Sequence, residues 1–440
     1  MKNWIACLSL GVAVGCGGPS ASERPARLAE PPDSQAADAS ANDGRLLTSS
    51  ERARVEVLVR SAERIRGLAF RTPVEMRVQT AQQVRVHLAE ELDENDLVQG
   101  AHVYESIGLL PPGTNIREIF LDVIEEQVVG YYDSKTRRLV LREDVFEGAP
   151  STREESFGES SMVILHELVH ALQDQHFGGL DAAFEARERS DEENAYHAVV
   201  EGDATLAMLG EIASRSGAPF RAIASRLSQM NPQDGALLAS TSPGNEQLRS
   251  VPAIVRVCLA AAYLDGAIFA SKRLLRGGWP AVDAAHATPP STTEQVLHEE
   301  KYESHESPDA IVIPSFSTPG LRDAELIADD TLGELEMSVY FARGTGNDRD
   351  RPAAEGWSGD RLRVFRSNDA LSAIWFSAWD TERDATEAEE TAKRVGPEVF
   401  VTRVGRAVLF VHSSPTPSAL DEVRIAFESF AASLARRTAP

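Results

Sequence analysis

The stretch HELVHALQDQH, residues 166–176, follows Val163-Ile164-Leu165 and holds three of the ten histidines in the chain. On an α-helix His166 and His170 are four residues apart and project from one face, one above the other. Two imidazoles so placed can bind a single metal ion. Glu167 follows the first of them directly, where a carboxylate can reach a metal-bound water and accept its proton. The neighbours Val163, Ile164, Leu165, Leu168 and Val169 are apolar, as a helix in the wall of a cleft requires.

A catalytic zinc needs a third protein ligand and an open position for water. Downstream, SDEENAYHAVVEGDATLAML (190–209) predicts a helix from about 191 to 209, with Ser190 and Glu193 as a capping box. Glu201 falls among Val199, Val200 and Ala204, a costly place for a carboxylate unless something pairs it. Zinc would pair it, which makes His166, His170 and Glu201 the expected metal ligands. His197, one turn earlier on the same face, is the rival ligand. Gly202 lowers helix propensity and points to a close approach of two helix backbones. Asp174 and Asp203 are candidates to orient an imidazole through its free nitrogen, and solvated positions for both stay open.

Upstream, EQVVGYYDSKTRRLVLRED (126–144) reads as a hairpin of Val128–Tyr132 and Arg138–Arg142. An edge strand beside a metal can pair with an extended peptide, and a purely structural hairpin is the alternative. Before it, helical periodicity runs from Ser50, with Pro111-Pro112-Gly113 as a break ahead of a helix near 115–126. After about Glu303 the pattern changes to strands at 361–366, 371–379, 399–404 and 407–412. A helix capped by Thr381 lies among them, and another starts near Ser418 and Asp421; the order is ββαββα. The apolar stretch 251–275 is broken by Arg256, Asp265, Lys272 and Arg273, so it reads as a buried helix rather than a membrane span. The expectation is an α+β fold: a mainly helical catalytic domain with a small edge sheet over 48–302, then a smaller α+β domain over 303–440.

The N-terminus, MKNWIACLSLGVAVGCGGPS, carries one lysine and a short apolar run, as an export signal over 1–15 does. Cys16 sits where a bacterial lipoprotein box has its lipidated cysteine, although Ala13 stands where leucine is usual. Residues 16–47 read as a disordered tether. The expected location is therefore the bacterial envelope, on the periplasmic or surface face, with membrane contact through lipid on Cys16. A formal charge of −24 without a basic stripe excludes a nucleic-acid binder. Three cysteines give no disulfide framework, and Cys258 reads as a buried hydrophobe.

HELVH followed by a helix carrying EGDA resembles the glutamate-ligand zinc peptidases, the gluzincins. Thirty residues lie between His170 and Glu201, more than in thermolysin-like or aminopeptidase N-like members. The chain is more similar to a poorly characterised group of bacterial putative metallopeptidases, through RGLAF, EQVVGYYD, HELVHALQDQHF, VVEGDA, YLDGAIF, GGW, PPSTTEQVLHEEKY and GWSGDR. Glu299 departs from that group, which tends to have proline there. The resemblance implies a zincin-like domain and hydrolysis of a peptide or protein substrate by zinc-activated water, with Glu167 as general base. Tyr263, in the Tyr-x-x-Gly setting of aminopeptidase N-like enzymes, would stabilise the oxyanion; His298 and Tyr302 are competing donors. The alternative is a non-catalytic envelope lipoprotein whose zinc site is structural or vestigial and which acts as a binding module.

Overall fold

The computed structural model describes residues 43–147, 160–230, 251–368, 370–413 and 416–437. The expected signal, Cys16 and nearly all of the tether lie outside the described residues.

A four-stranded sheet and a set of helices form the first part. Strands β1 (Arg45–Leu46), β2 (Glu75–Gln79), β3 (Gly130–Asp133) and β4 (Arg138–Arg142) lie in the order β1-β2-β4-β3. The expected hairpin is the antiparallel β3–β4 pair, and β3 is an edge of the sheet. Its turn is built by Asp133, whose carboxylate accepts the backbone N–H groups of Lys135 and Thr136 at 3.0 and 3.1 Å.

The helices are α1 (Ser49–Arg66), α2 (Ala81–Glu91), α3 (Glu94–Ser106), α4 (Ile116–Gln127), α5 (Ser160–His176), α6 (Leu180–Glu185), α7 (Ser190–Ser216), α8 (Phe220–Leu227), α9 (Ala253–Gly277), α10 (Trp279–Ala287), α11 (Thr293–Leu297) and α12 (Glu299–Glu303). Helix α1 starts at a capping box of Thr48 and Glu51 and stops at Gly67, whose φ of 73° suits a residue without Cβ.

Helix α7 outruns the expected range at its C-terminal end, and its capping box is absent. Ser190 Oγ instead donates to Asp330 Oδ2 at 2.5 Å, and the N-cap, Arg189, makes no side-chain cap. A tertiary partner has claimed the hydroxyl. Helix α9 is long and apolar enough to cross a membrane by length and composition, yet most of it is buried inside the protein, mainly against α7. The two helices meet at glycines, as Gly202 led us to expect: a Cβ on Gly202 would fall 2.3 Å from the Gly266 carbonyl oxygen.

The C-terminal part contains β5 (Glu325–Asp330), α13 (Gly333–Phe341), α14 (Arg351–Ala354), β6 (Trp357–Ser367), β7 (Ala370–Trp379), α15 (Glu382–Val395), β8 (Val399–Val404), β9 (Ala407–His412) and α16 (Pro417–Arg437). Its strands form one antiparallel sheet in the order β5-β6-β7-β9-β8. Thr381 caps α15 as expected, whereas Thr416 rather than Ser418 caps α16 through the Ala419 N–H.

Two elements here had no sequence signal. Strand β5 exposes Glu325 and Leu326 and buries an aspartate, so polarity does not alternate along it. Every residue of α13 is buried, Glu334 and Glu336 included, so it has no amphipathic face. The fold is α+β, mainly helical around a small sheet and ending in an α+β unit. The largest apolar cluster joins Val84, Leu97 and Phe120 to Ile254 and on to Trp357 and Trp375, so packing runs continuously across the expected boundary at 302/303.

Candidate metal centre

Helices α5 and α7 pack side by side and bring His166, His170 and Glu201 together. One ligand atom from each lies within 4.8 Å of the others, and all three residues are buried. His166 Nε2 is 2.9 Å from Glu201 Oε2, and His170 Nε2 is 3.5 Å from Glu201 Oε1. His197 Nε2 stands 3.6 Å from Glu201 Oε1 and is outside that group of three. The donor set of two imidazoles and a carboxylate suits zinc.

Unmet polar atoms support the fit. His170 Nε2, His197 Nε2 and Glu167 Oε1 are buried without a hydrogen-bond partner, an arrangement that is costly unless a ligand completes it. Burial opposes charge on His170, yet the Glu201 carboxylate beside it holds the imidazole up to about 9. Burial lowers His166. Glu201 is penalised by burial but held well below the usual carboxylate range by the neighbouring His170 and by the His166 hydrogen bond. Burial pushes Glu167 up to about 8.

Edge strand β3 touches this centre directly. The Tyr132 backbone N–H donates to Glu167 Oε2 at 2.9 Å, and the Tyr132 hydroxyl is 3.0 Å from Asp174 Oδ2. The Arg142 N–H bonds to Val129 O, which puts the outward-facing backbone groups of β3 at Gly130 and Tyr132. Asp174 therefore anchors β3, and through the Leu180 N–H also α6, rather than orienting an imidazole. That role falls to Gln173, whose Oε1 is 2.9 Å from His170 Nδ1. Gln173 carries no charge to mark it in the sequence, and its spacing of three from His170 on the helix is the one available signal.

Of the expected oxyanion donors, Tyr263 reaches the centre: its ring stacks on His166 with centroids 5.7 Å apart. It sits one turn before Gly266, so the close crossing of α7 and α9 brings it there. His298 Nε2 is 3.0 Å from Glu334 Oε1, and the Tyr302 hydroxyl donates to Thr288 O at 2.8 Å. Glu299 faces Arg273 and Arg276, each at 3.6 Å.

A cleft of about 430 Å³ opens between β3, the α2–α3 junction and α6, with His170 and Glu201 in its wall. The chain matches the family model of a domain of unknown function (DUF8575) over residues 324–424, within the C-terminal part and away from these ligands. No curated protein matches the chain, and no solved structure does.

Proposed function

We propose that the chain is a zinc-dependent peptidase of the envelope, tethered by lipid on Cys16 and acting on a peptide or protein substrate. The observation that carries this reading is Glu167: a buried carboxylate with one oxygen held by a backbone N–H and the other unpartnered, beside a two-histidine, one-glutamate ligand set. When bound, the ion supplies Lewis acidity, which acidifies a water and polarises a carbonyl.

The remaining work belongs to the chain. His166, His170 and Glu201 hold the ion. Tyr132 fixes the Glu167 carboxylate, whose free Oε1 takes a proton from water and passes it to the leaving amine. Tyr263 is the donor favoured for the oxyanion, because it stacks on a ligand, whereas His298 is engaged by Glu334. Strand β3 offers the outward backbone groups of Gly130 and the Tyr132 carbonyl to an extended peptide, the Tyr132 N–H being held by Glu167.

A second reading, a closed structural zinc in a binding module, draws on His197, whose unpartnered Nε2 is 3.6 Å from Glu201 and would serve as a fourth ligand. Zinc content of the wild type, Glu201→Ala and His197→Ala separates the two. One zinc per chain, lost with Glu201 and kept without His197, supports the peptidase; loss with His197 supports the closed site. Glu167→Gln is expected to retain zinc and lose turnover on a peptide library, and retained turnover rejects the mechanism.

A further inference from the structure

Gln173 lies one turn beyond His170 on α5 and is fully buried. Its Nε2 donates to Val200 O at 2.9 Å and to Asp203 Oδ2 at 3.0 Å, while its Oε1 faces His170 Nδ1 at 2.9 Å. A side-chain amide has one donating end and one accepting end. Two acceptors on the far side leave the nitrogen no other direction, so the oxygen must face the imidazole. An amide oxygen only accepts, which requires the proton on His170 Nδ1 and leaves Nε2 as the nitrogen that can bind a metal.

The acceptor that aims Gln173 is itself fixed. Asp203 is fully buried, 2.7 Å from Arg66 Nε and 2.9 Å from His286 Nε2. Arg66 also pairs with Asp283 and lies over the Trp279 ring, 4.6 Å from its centroid. The phrases RGLAF, VVEGDA and GGW thus each place a residue in one frame behind His170, with Arg66 and Asp203 fully buried and Trp279 partly so.

We infer that Gln173 is a positioning residue for the metal centre, aimed by Asp203 and its Arg66 and His286 partners, and that it fixes His170 in the form that binds zinc through Nε2. The inference rests on the metal-site reading above. Groups in this position typically alter metal affinity about 10- to 100-fold.

The test compares zinc affinity by chelator competition for the wild type, Gln173→Met and Gln173→Glu, together with thermal unfolding of each metal-free protein. Gln173→Met, of similar length but without hydrogen bonds to offer, is expected to bind zinc about 10- to 100-fold more weakly. Gln173→Glu keeps an acceptor for Nδ1 but cannot donate to Val200; it is expected to lose thermal stability while holding zinc within a few-fold of wild type. A purely structural role predicts lower stability with unchanged affinity in whichever variant folds, and that result overturns the proposal. So does a Gln173→Glu chain that folds but binds as weakly as Gln173→Met. Wild type that takes up no zinc overturns the metal-site reading and this inference with it, whereas tight wild-type binding equalled by Gln173→Met overturns this inference alone.

Discussion

Gly202 of α7 and Gly266 of α9 occupy one crossing point, where a Cβ built on Gly266 would lie 2.2 Å from the Ala198 carbonyl oxygen. That is backbone against backbone, with no flexible side chain to yield. Gly266→Ala is expected to push the helices apart and cost at least about 1–3 kcal/mol. Because Tyr263 sits one turn away on α9, the same change should reduce turnover more than zinc content. Urea unfolding and metal analysis check both; a variant of wild-type stability would mean that the crossing is looser than described.

Zinc binding should depend on pH through His170. In the metal-free protein this imidazole is held up to about 9, so at pH 6–8 it carries a proton that the metal must displace. Affinity is expected to rise about tenfold per pH unit in that range and to level off above about 9. Competition titrations at several pH values measure the slope, and a flat profile contradicts the assignment of His170 as a ligand.

Asp191, in the first turn of α7, makes a separate contribution to stability. Burial pushes it up to about 8, although the Thr293 hydroxyl and N–H bond to its Oδ1. The folded state therefore keeps a proton that the unfolded chain has released above its ordinary pKa of 3.8. Stability from this group falls as pH rises from there and levels off above about 8. Asp191→Asn, which cannot ionise, should flatten that part of the profile in denaturant unfolding at pH 5, 7 and 9. An unchanged slope would assign the effect elsewhere.

The cleft wall carries Glu90, Glu91, Asp93, Asp96, Asp181 and Glu185 against one lysine, Lys135. One sign of charge in a concave site concentrates ligands of the opposite sign. Peptides with lysine flanking the scissile bond should be cleaved with kcat/KM about tenfold above their glutamate counterparts, the gap narrowing as salt is raised. Equal rates for the two sets would show that these carboxylates serve solubility alone.

Much of this is legible in the sequence alone, for identifiable physical reasons. The four-residue spacing of His166 and His170, the misplaced polarity of Glu201 and the glycine at 202 are local signals, and the helices preserve them. Strands β6 to β9 were equally readable because apolar runs and turns mark them. What escaped depended on distant partners. Ser190 looks like a cap until Asp330 arrives from 140 residues away. Helix α13 has no polar face because its glutamates are taken inside, Glu336 by Tyr104 and Asn194 and Glu334 by His298. Gln173 needed Val200 and Asp203 in place before its amide had a direction.

Tyr132 grips α5 at two heights, with its main chain on Glu167 and its ring oxygen on Asp174. Strand β3 and the Glu167 carboxylate are therefore tied together. Under the proposed function a guest chain laid along β3 would be indexed to Glu167 through Tyr132, and since a strand repeats every second residue it would slide only in two-residue steps. The position of the cut along a substrate would then be set by this ruler, leaving side-chain pockets to choose among alternate residues rather than among all of them.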